Sequence, residues 1–454
     1  MKLTALSLVL LLGSAAACSG EALDADGLGG AGEDGASGGA GTGGAASGGA
    51  ASGGASSGGS TGGSGEPLDP CAAAEDWTCV AVPPVGEYGT RTIEVPARQN
   101  WVNTGLYLKE GESATLTASG SWTVTNTGET IHHGSCLIGD MVARIGLHYE
   151  EEELTCITGS GETQVVADKD GILFVGALPS TDLGETYETR HDDSGVRTVV
   201  VSSSEGELSP TVAGSAAGDY PWEQVLAGAV EVWGEHVILT LPTEVAQADA
   251  ATLQAAVAKL DEIYGYEREL RGAQPHGGQR LRFFPDGTNP GYMLAGNPIR
   301  MQLDLVEGDD STRISRAGET GASLWGFAHE MGHDFSFAPN GFWAYQEATL
   351  ESWCNLFSIY AFEKLGLELH EATLDCSASS TGSYQGGSWD AWEGLCFLRQ
   401  FQFEYGWDFY DAYFQSILST TSYGAGAWPF VKARFDAAAG EDTAYLFDEW
   451  GVPY

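Results

Sequence analysis

Positive charge is scarce in this chain of 454 residues: 20 Lys and Arg stand against 63 Asp and Glu, a formal net charge of −43. Bulk electrostatics therefore hold it on neither nucleic acid nor an anionic membrane surface. Long apolar runs are missing too. The one run near the N-terminus, Leu3 to Leu12, is too short to span a bilayer. No Gly-rich segment joins a strand to a helix as a phosphate loop, which leaves no nucleotide site. Residues 35–65 contain neither a charge nor an aromatic ring. Such a stretch cannot offset its ordering entropy by burial, so it is expected to be a flexible coil. What is present elsewhere, a 43% apolar fraction and 13 Trp, suits a folded protein of two or three domains. The acidity belongs to that folded part, since 57 acids against 19 bases lie beyond residue 66.

Residues 1–17 read as an export signal: Lys2, the apolar run, and Gly13-Ser14-Ala15-Ala16-Ala17 as a small-residue cleavage zone. Cys18 follows directly, an arrangement that resembles a bacterial lipoprotein signal, in which this Cys is lipidated. The resemblance implies a chain anchored at the cell envelope and exposed on its surface, with membrane contact only through the lipid. The alternative is ordinary secretion after Ala17. Residues 18–66 then form a tether with a root-mean-square reach of roughly 35–40 Å. In an oxidising compartment closely spaced cysteines are read as disulfides, here Cys71–Cys79, Cys136–Cys156 and Cys376–Cys396. That leaves Cys354 as a buried thiol in a helix, although spacing alone would let it displace either later neighbour.

After a Cys-containing linker, residues 67–85, the segment 86–210 is strand-like. Thr92–Val95, Leu106–Lys109, Ala114–Ala118, Ser121–Val124, Gly171–Val175 and Val196–Val201 are short, β-branched or aromatic, and bounded by turn residues. An antiparallel β-sandwich is the expected architecture. Asn103-Thr104-Gly105-Leu106, Ala118-Ser119-Gly120-Ser121-Trp122, Asp170–Phe174 and Asp192-Asp193-Ser194-Gly195 resemble the sandwich of galactose-binding bacterial lectins. That resemblance implies an acidic loop holding Ca²⁺ for sugar hydroxyls, with Asp182, Asp192 and Asp193 as its candidates. The alternative is a structural sandwich with turn-forming Asp and no metal.

The segment 211–454 carries the chemistry. In His329-Glu330-Met331-Gly332-His333 two imidazoles lie on one helix face, where they can converge on one Zn²⁺. Glu330 stands where its carboxylate can take a proton from an attacking water. Leu324, Trp325, Phe327 and Ala328 lead into the motif and predict a core-packed helix. A third ligand must come from further along. Glu347, Glu351 and Asn355 fall one turn apart on the next helix. Spacing leaves two registers open: Glu351 as ligand with Asn355 as support, or Glu347 with Glu351. His132, His133, His148, His191, His236, His276 and His370 lack ligand spacing and are read as solvated or packing residues. Leu253, Val257, Leu260 and Ile263 recur at helical spacing over about Asp249 to Arg271 and read as core.

These residues resemble the enhancin-type, mucin-degrading zinc metallopeptidases: His329-Glu330-Met331-Gly332-His333, then Trp343, then Glu351-Ser352-Trp353-Cys354-Asn355-Leu356-Phe357-Ser358. The likeness extends over about residues 220–454. It implies a mixed α/β to mostly helical zincin domain of the gluzincin type following the sandwich. It selects Glu351 as the third ligand, beside His329 and His333, with Asn355 supporting a ligand imidazole and Glu330 as general base. It also implies zinc-dependent hydrolysis of O-glycosylated, mucin-like proteins. The alternatives are a glycan-binding surface adhesin with a non-catalytic zinc site and a zinc peptidase of unglycosylated protein. Leu294 and Asn297 stand where the family often has His and Tyr, and Asp334, after the second His, stands where Asn is frequent and is read with Asn355 as hydrogen-bonding support behind the ligands. Tyr292, Tyr345 and Tyr384 are candidates for stabilising an oxyanion.

Overall fold

A computed structural model of the chain describes residues 71, 77–124, 136–137, 139–148, 154–157, 161–178, 193–289, 291–308, 313–317, 321–337, 350–367, 376, 391–420 and 427–454. The first part is β-rich: β1 (Gly89–Pro96), β2 (Val102–Leu108), β3 (Ser113–Thr123), β4 (Met141–Ile145), β5 (Thr155–Ile157), β6 (Glu162–Val166), β7 (Gly171–Ala177), β8 (Ser194–Ser203) and β9 (Glu207–Leu208). They form two antiparallel sheets, ordered β1-β8-β3-β6 and β5-β4-β7-β2-β9. Ile93, Leu116 and Val201 from the first sheet and Leu106, Ala143 and Leu173 from the second share one core. The two segments read separately as Ala114–Ala118 and Ser121–Val124 run together in β3, with Gly120 at φ 86° between them. Its carbonyl neighbourhood is tight, because a Cβ there would stand 3.1 Å from the Val196 carbonyl.

Strands β2 and β4 are buried along their whole length instead of alternating. Their second face is covered as well: Trp101, Tyr107, Val142 and Phe174 pack with Ala227 and Phe284 of the following region. The five-stranded sheet is thus a layer between two cores.

A mixed sheet comes next, built from β10 (Thr211–Ala213), β11 (Ala229–Trp233), β12 (Val237–Pro242), β13 (Leu281–Pro285), β14 (Met293–Leu294) and β15 (Ile299–Met301) in the order β10-β11-β12-β13-β15-β14. Pairing is parallel for β10–β11, β12–β13 and β13–β15, and antiparallel for β11–β12 and β14–β15. Short α1 (Thr243–Ala248) precedes α2 (Ala250–Arg271), whose Leu253, Val257, Leu260 and Ile263 are buried as their spacing predicts. Gly272, at φ 70°, ends α2, with Arg268 and Arg271 in its last turn, where cations favour the helix dipole.

The remaining helices are α3 (Asp304–Glu307), α4 (Gly321–Phe337), α5 (Leu350–Leu365), α6 (Ala391–Tyr405), α7 (Trp407–Ile417), α8 (Ala427–Ala439) and α9 (Ala444–Trp450). Their rings interlock: Phe401, Phe409, Tyr413 and Phe435 meet face to edge or stacked, and Trp353 of α5 stacks on Tyr413 at 5.5 Å. This packing seats α5 from behind. Three disulfides, Cys71–Cys79, Cys136–Cys156 and Cys376–Cys396, are formed and Cys354 is a buried free thiol. No helix among the described residues is long and apolar enough to cross a membrane.

Candidate metal centre

Two contacts set the position of α4. A Cβ at Gly332 would meet the Cys354 carbonyl at 2.5 Å, so glycine inside the His-Glu-Met-Gly-His run lets α4 and α5 approach backbone to backbone. At Gly326, six residues earlier, a Cβ would lie 2.5 Å from Met293 Cε and 3.3 Å from Tyr292 Cε1. There the turn that carries Tyr292 closes on the helix.

With the helices so close, their polar side chains converge. His329 Nε2 lies 3.2 Å from His333 Nε2 and 2.9 Å from Glu351 Oε2, and His333 Nε2 lies 3.5 Å from the same oxygen. A tetrahedral ion with bonds of about 2.0–2.1 Å keeps its ligands about 3.3 Å apart. The three donor atoms already hold that spacing, and two imidazoles with one carboxylate are a zinc donor set. The structure thus takes Glu351 into the cluster. Glu347 and Trp343 lie outside the described residues.

Asn355 fixes the ring that it faces. Its Nδ2 donates to the Glu351 carbonyl at 2.7 Å, which turns Oδ1 toward His329 Nδ1 at 2.8 Å. With Nδ1–H donated, the Nε2 lone pair is left for an ion. Cys354 completes the one group of three or more His, Cys, Asp and Glu donors among the described residues, all four atoms lying within 4.8 Å of one another. Its sulfur is 3.4 Å from His329 Nδ1 and 3.6 Å from Nε2. Near-equal distances put the sulfur beside Cε1, not along the Nε2 lone pair. The thiol packs on the ring while contacting the Glu351 carbonyl at 3.0 Å.

Electrostatics divide the acids by role. Burial pushes Glu351 up, but His333 and His329 outweigh it and hold the carboxyl well below the usual carboxylate range. Burial raises Glu330, and the same imidazoles do not cancel the rise. Tyr292 is raised by burial and then by the charge of Glu330, and it is 36% exposed. Tyr345 and Tyr384 lie outside the described residues.

Asp334 turns away from both imidazoles. Its Oδ1 accepts from Gly296 N at 2.9 Å and pairs with His276 Nε2 at 3.1 Å. His276, which lacked ligand spacing, is therefore a buried partner of the acid that follows His333. Asn297 is buried and closes its turn by donating to the Arg280 carbonyl at 2.9 Å and accepting from Arg282 N at 3.0 Å, while Leu294 sits in β14. Neither reaches the donor cluster through any of these bonds.

Sequence reading passed over Glu267. It is fully buried on α2, neither carboxylate oxygen has a hydrogen-bond partner among the described residues, and burial drives its pKa well above normal, with Cys354 and Asp334 adding to the rise. A signal existed: Glu267 lies four residues after Ile263, on the apolar stripe itself. Asp193 is buried just before β8, whereas Asp182, Asp192 and Cys18 lie outside the described residues.

The chain is 22% identical over 395 residues to a TRPM8 channel-associated factor homolog of Xenopus laevis, covering 80% of this chain and 40% of that protein. It thus spans about two fifths of the length of that relative. A conserved protein of Bacillus anthracis str. Ames has the same fold, with a TM-score of 0.57, 18% identity and coverage of 80% of this chain and 76% of that one. So do a metallopeptidase in complex with Tn antigen, with a TM-score of 0.52, 15% identity and coverage of 77% and 66%, and IMPa from Pseudomonas aeruginosa in complex with an O-glycopeptide, with a TM-score of 0.50, 13% identity and coverage of 83% and 52%. Residues 222–451, which include α4, α5 and every donor in the cluster, match Peptidase M60, enhancin and enhancin-like, and the chain belongs to that family.

Proposed function

We propose that the chain is a zinc-dependent endopeptidase of the gluzincin type that cleaves O-glycosylated, mucin-like proteins. The observation that carries this is the convergence of His329 Nε2, His333 Nε2 and Glu351 Oε2, with Glu330 buried beside them. Zinc, when bound, supplies Lewis acidity toward a water and a scissile carbonyl. His329 and His333 present their Nε2 lone pairs, and Asn355 keeps the first ring in the tautomer that allows it. Glu330 accepts the proton of the attacking water and delivers it to the leaving nitrogen, a task suited to a carboxylate whose basicity burial has raised. Tyr292, part-exposed and within electrostatic reach of Glu330, would donate to developing negative charge on the substrate oxygen.

The substrate class is inferred from the family and from the glycan and glycopeptide bound in two proteins of like fold. On this reading the β-rich region is a lectin-like sandwich that holds glycan near the site and raises its effective concentration. Asp193 would contribute to a Ca²⁺ loop there. Export and lipidation at Cys18 would place both on the cell surface, at the end of the tether formed by residues 19–66.

Incubation with a mucin-type glycoprotein and with its deglycosylated form, each with and without chelator, tests the proposal. Cleavage of the glycosylated form alone, abolished by chelator, is expected. Equal cleavage of both forms would remove the glycan requirement. The absence of chelator-sensitive cleavage would favour a binding protein with a non-catalytic metal site, a reading in keeping with relatives named for association with a channel.

A further inference from the structure

The residues matched by the family begin at 222, but one side chain from well before them reaches the frame of the metal centre. Asn100 is 2% exposed and stands between β1 and β2. Its Nδ2 donates to the Asn297 carbonyl at 3.1 Å. Its backbone N–H donates to Gln279 Oε1 at 2.7 Å, and its Oδ1 accepts from Gln279 Nε2 at 3.3 Å. The next residue is clamped as well: Arg282, ion-paired with buried Glu231 at 2.8 Å, donates from Nη2 to the Trp101 carbonyl at 3.2 Å.

The far side of the same turn touches α4. Gly296, at φ 117°, a conformation that suits glycine, donates its N–H to Asp334 Oδ1 at 2.9 Å. Asp334 follows His333 directly. The peptide from Gly296 to Asn297 is therefore held at one end by the acid after a metal-ligand imidazole and at the other by Asn100. The turn also carries Tyr292, packed against α4 at Gly326.

We propose that Asn100 is a positioning residue for the metal centre: through the 291–298 turn and Asp334 it fixes the placement of His333 and of Tyr292. The β-rich region then completes the site's frame and is not merely appended to it. This rests on the reading of His329, His333 and Glu351 as metal ligands. Asp334 is joined to His333 by the backbone of α4 and not by a hydrogen bond, so the turn acts on the ligand by setting the end of the helix that carries it.

The test uses the full chain loaded with Co²⁺, whose ligand-field absorption reports ligand geometry without any substrate. Asn100→Ala is expected to shift those bands and weaken cobalt affinity several-fold, less than the roughly 10–100-fold typical of removing a direct partner of a ligand. Thr104→Val is the control. Thr104 Oγ1 bonds the Leu173 carbonyl at 2.8 Å inside the β-rich region and has no such bond to the turn, so it should lower stability while leaving the cobalt bands unchanged. An Asn100→Ala spectrum and affinity identical to the wild type would overturn the proposal. So would Thr104→Val and Asn100→Ala shifts that both track the loss of Tm. No cobalt binding by the wild type would sink the metal assignment itself, which is a different result from binding that ignores Asn100.

Discussion

Glu330 and Glu267 are both buried carboxyls within electrostatic reach of the same two imidazoles, yet they have opposite consequences. Glu330 is one residue from His329, at the donor cluster, where the proposed mechanism has a basic carboxylate accept a proton from water. Glu330→Gln keeps the volume and removes only the ability to accept a proton. We expect zinc content by elemental analysis to stay at the wild-type level and kcat to fall by about 10²–10⁴-fold; a variant that turns over normally would remove Glu330 from the mechanism. Among the described residues Glu267 has no hydrogen-bond partner for either oxygen. Burying an unsatisfied acid is unfavourable, and an apolar side chain of similar size relieves it. Glu267→Met should therefore raise the unfolding free energy of the metal-free protein by about 1–3 kcal/mol in denaturant titrations. A loss of stability would mean that the carboxyl is held by something the fold requires.

At the scale of elements, the α4–α5 contact decides whether the donors meet. Gly332→Ala places a methyl 2.5 Å from the Cys354 carbonyl, and backbone cannot yield as a flexible side chain would. Overpacking of this kind costs about 1–3 kcal/mol. Separating the helices also moves Glu351 away from His329 and His333, so zinc affinity measured by chelator competition should drop along with Tm. A drop in Tm alone would show that the ligands do not depend on this spacing. How far the sequence disclosed these elements depends on the range of the interaction. The i, i+4 pair His329 and His333 and the stripe on α2 are local periodicities, readable without a fold. Glu351 against Glu347 is open from spacing, because a step of four residues keeps both on one face of an expected helix, and the convergence of Glu351 on His329 and His333 depends on the approach of α5 to α4, which no spacing carries. His276 and Asn100 gave no signal at all, since their partners, Asp334 and Gln279, lie 58 and 179 residues away.

Over the whole molecule, polar contacts join the β-rich region to the mixed sheet beside the apolar layer that they share. Leu147 accepts from Arg300 Nε at 3.2 Å, and His148 Nδ1 pairs with Asp286 Oδ1 at 3.1 Å while its ring meets Phe284 edge-on. Burial would raise Asp286, but His148 and two bonds from Thr288 outweigh it and bring the carboxyl down to about 2. The sign follows from linkage. A group whose folded pKa lies below its unfolded value of about 3.9 adds stability that is complete above that value and disappears as pH falls toward 2. The chain as a whole behaves differently, because a net charge of −43 repels itself at neutral pH and that repulsion eases on acidification. Comparing wild type with Asp286→Asn separates the two, since the overall charge is nearly common to both. We expect the variant to be less stable by about 2 kcal/mol above pH 5, with the gap closing between about pH 4 and pH 2. A gap of constant size across that range would show that the Asp286 carboxylate charge contributes nothing to the junction, leaving the Arg300–Leu147 bond and the apolar layer around Phe284 and Phe174 to hold the two regions together.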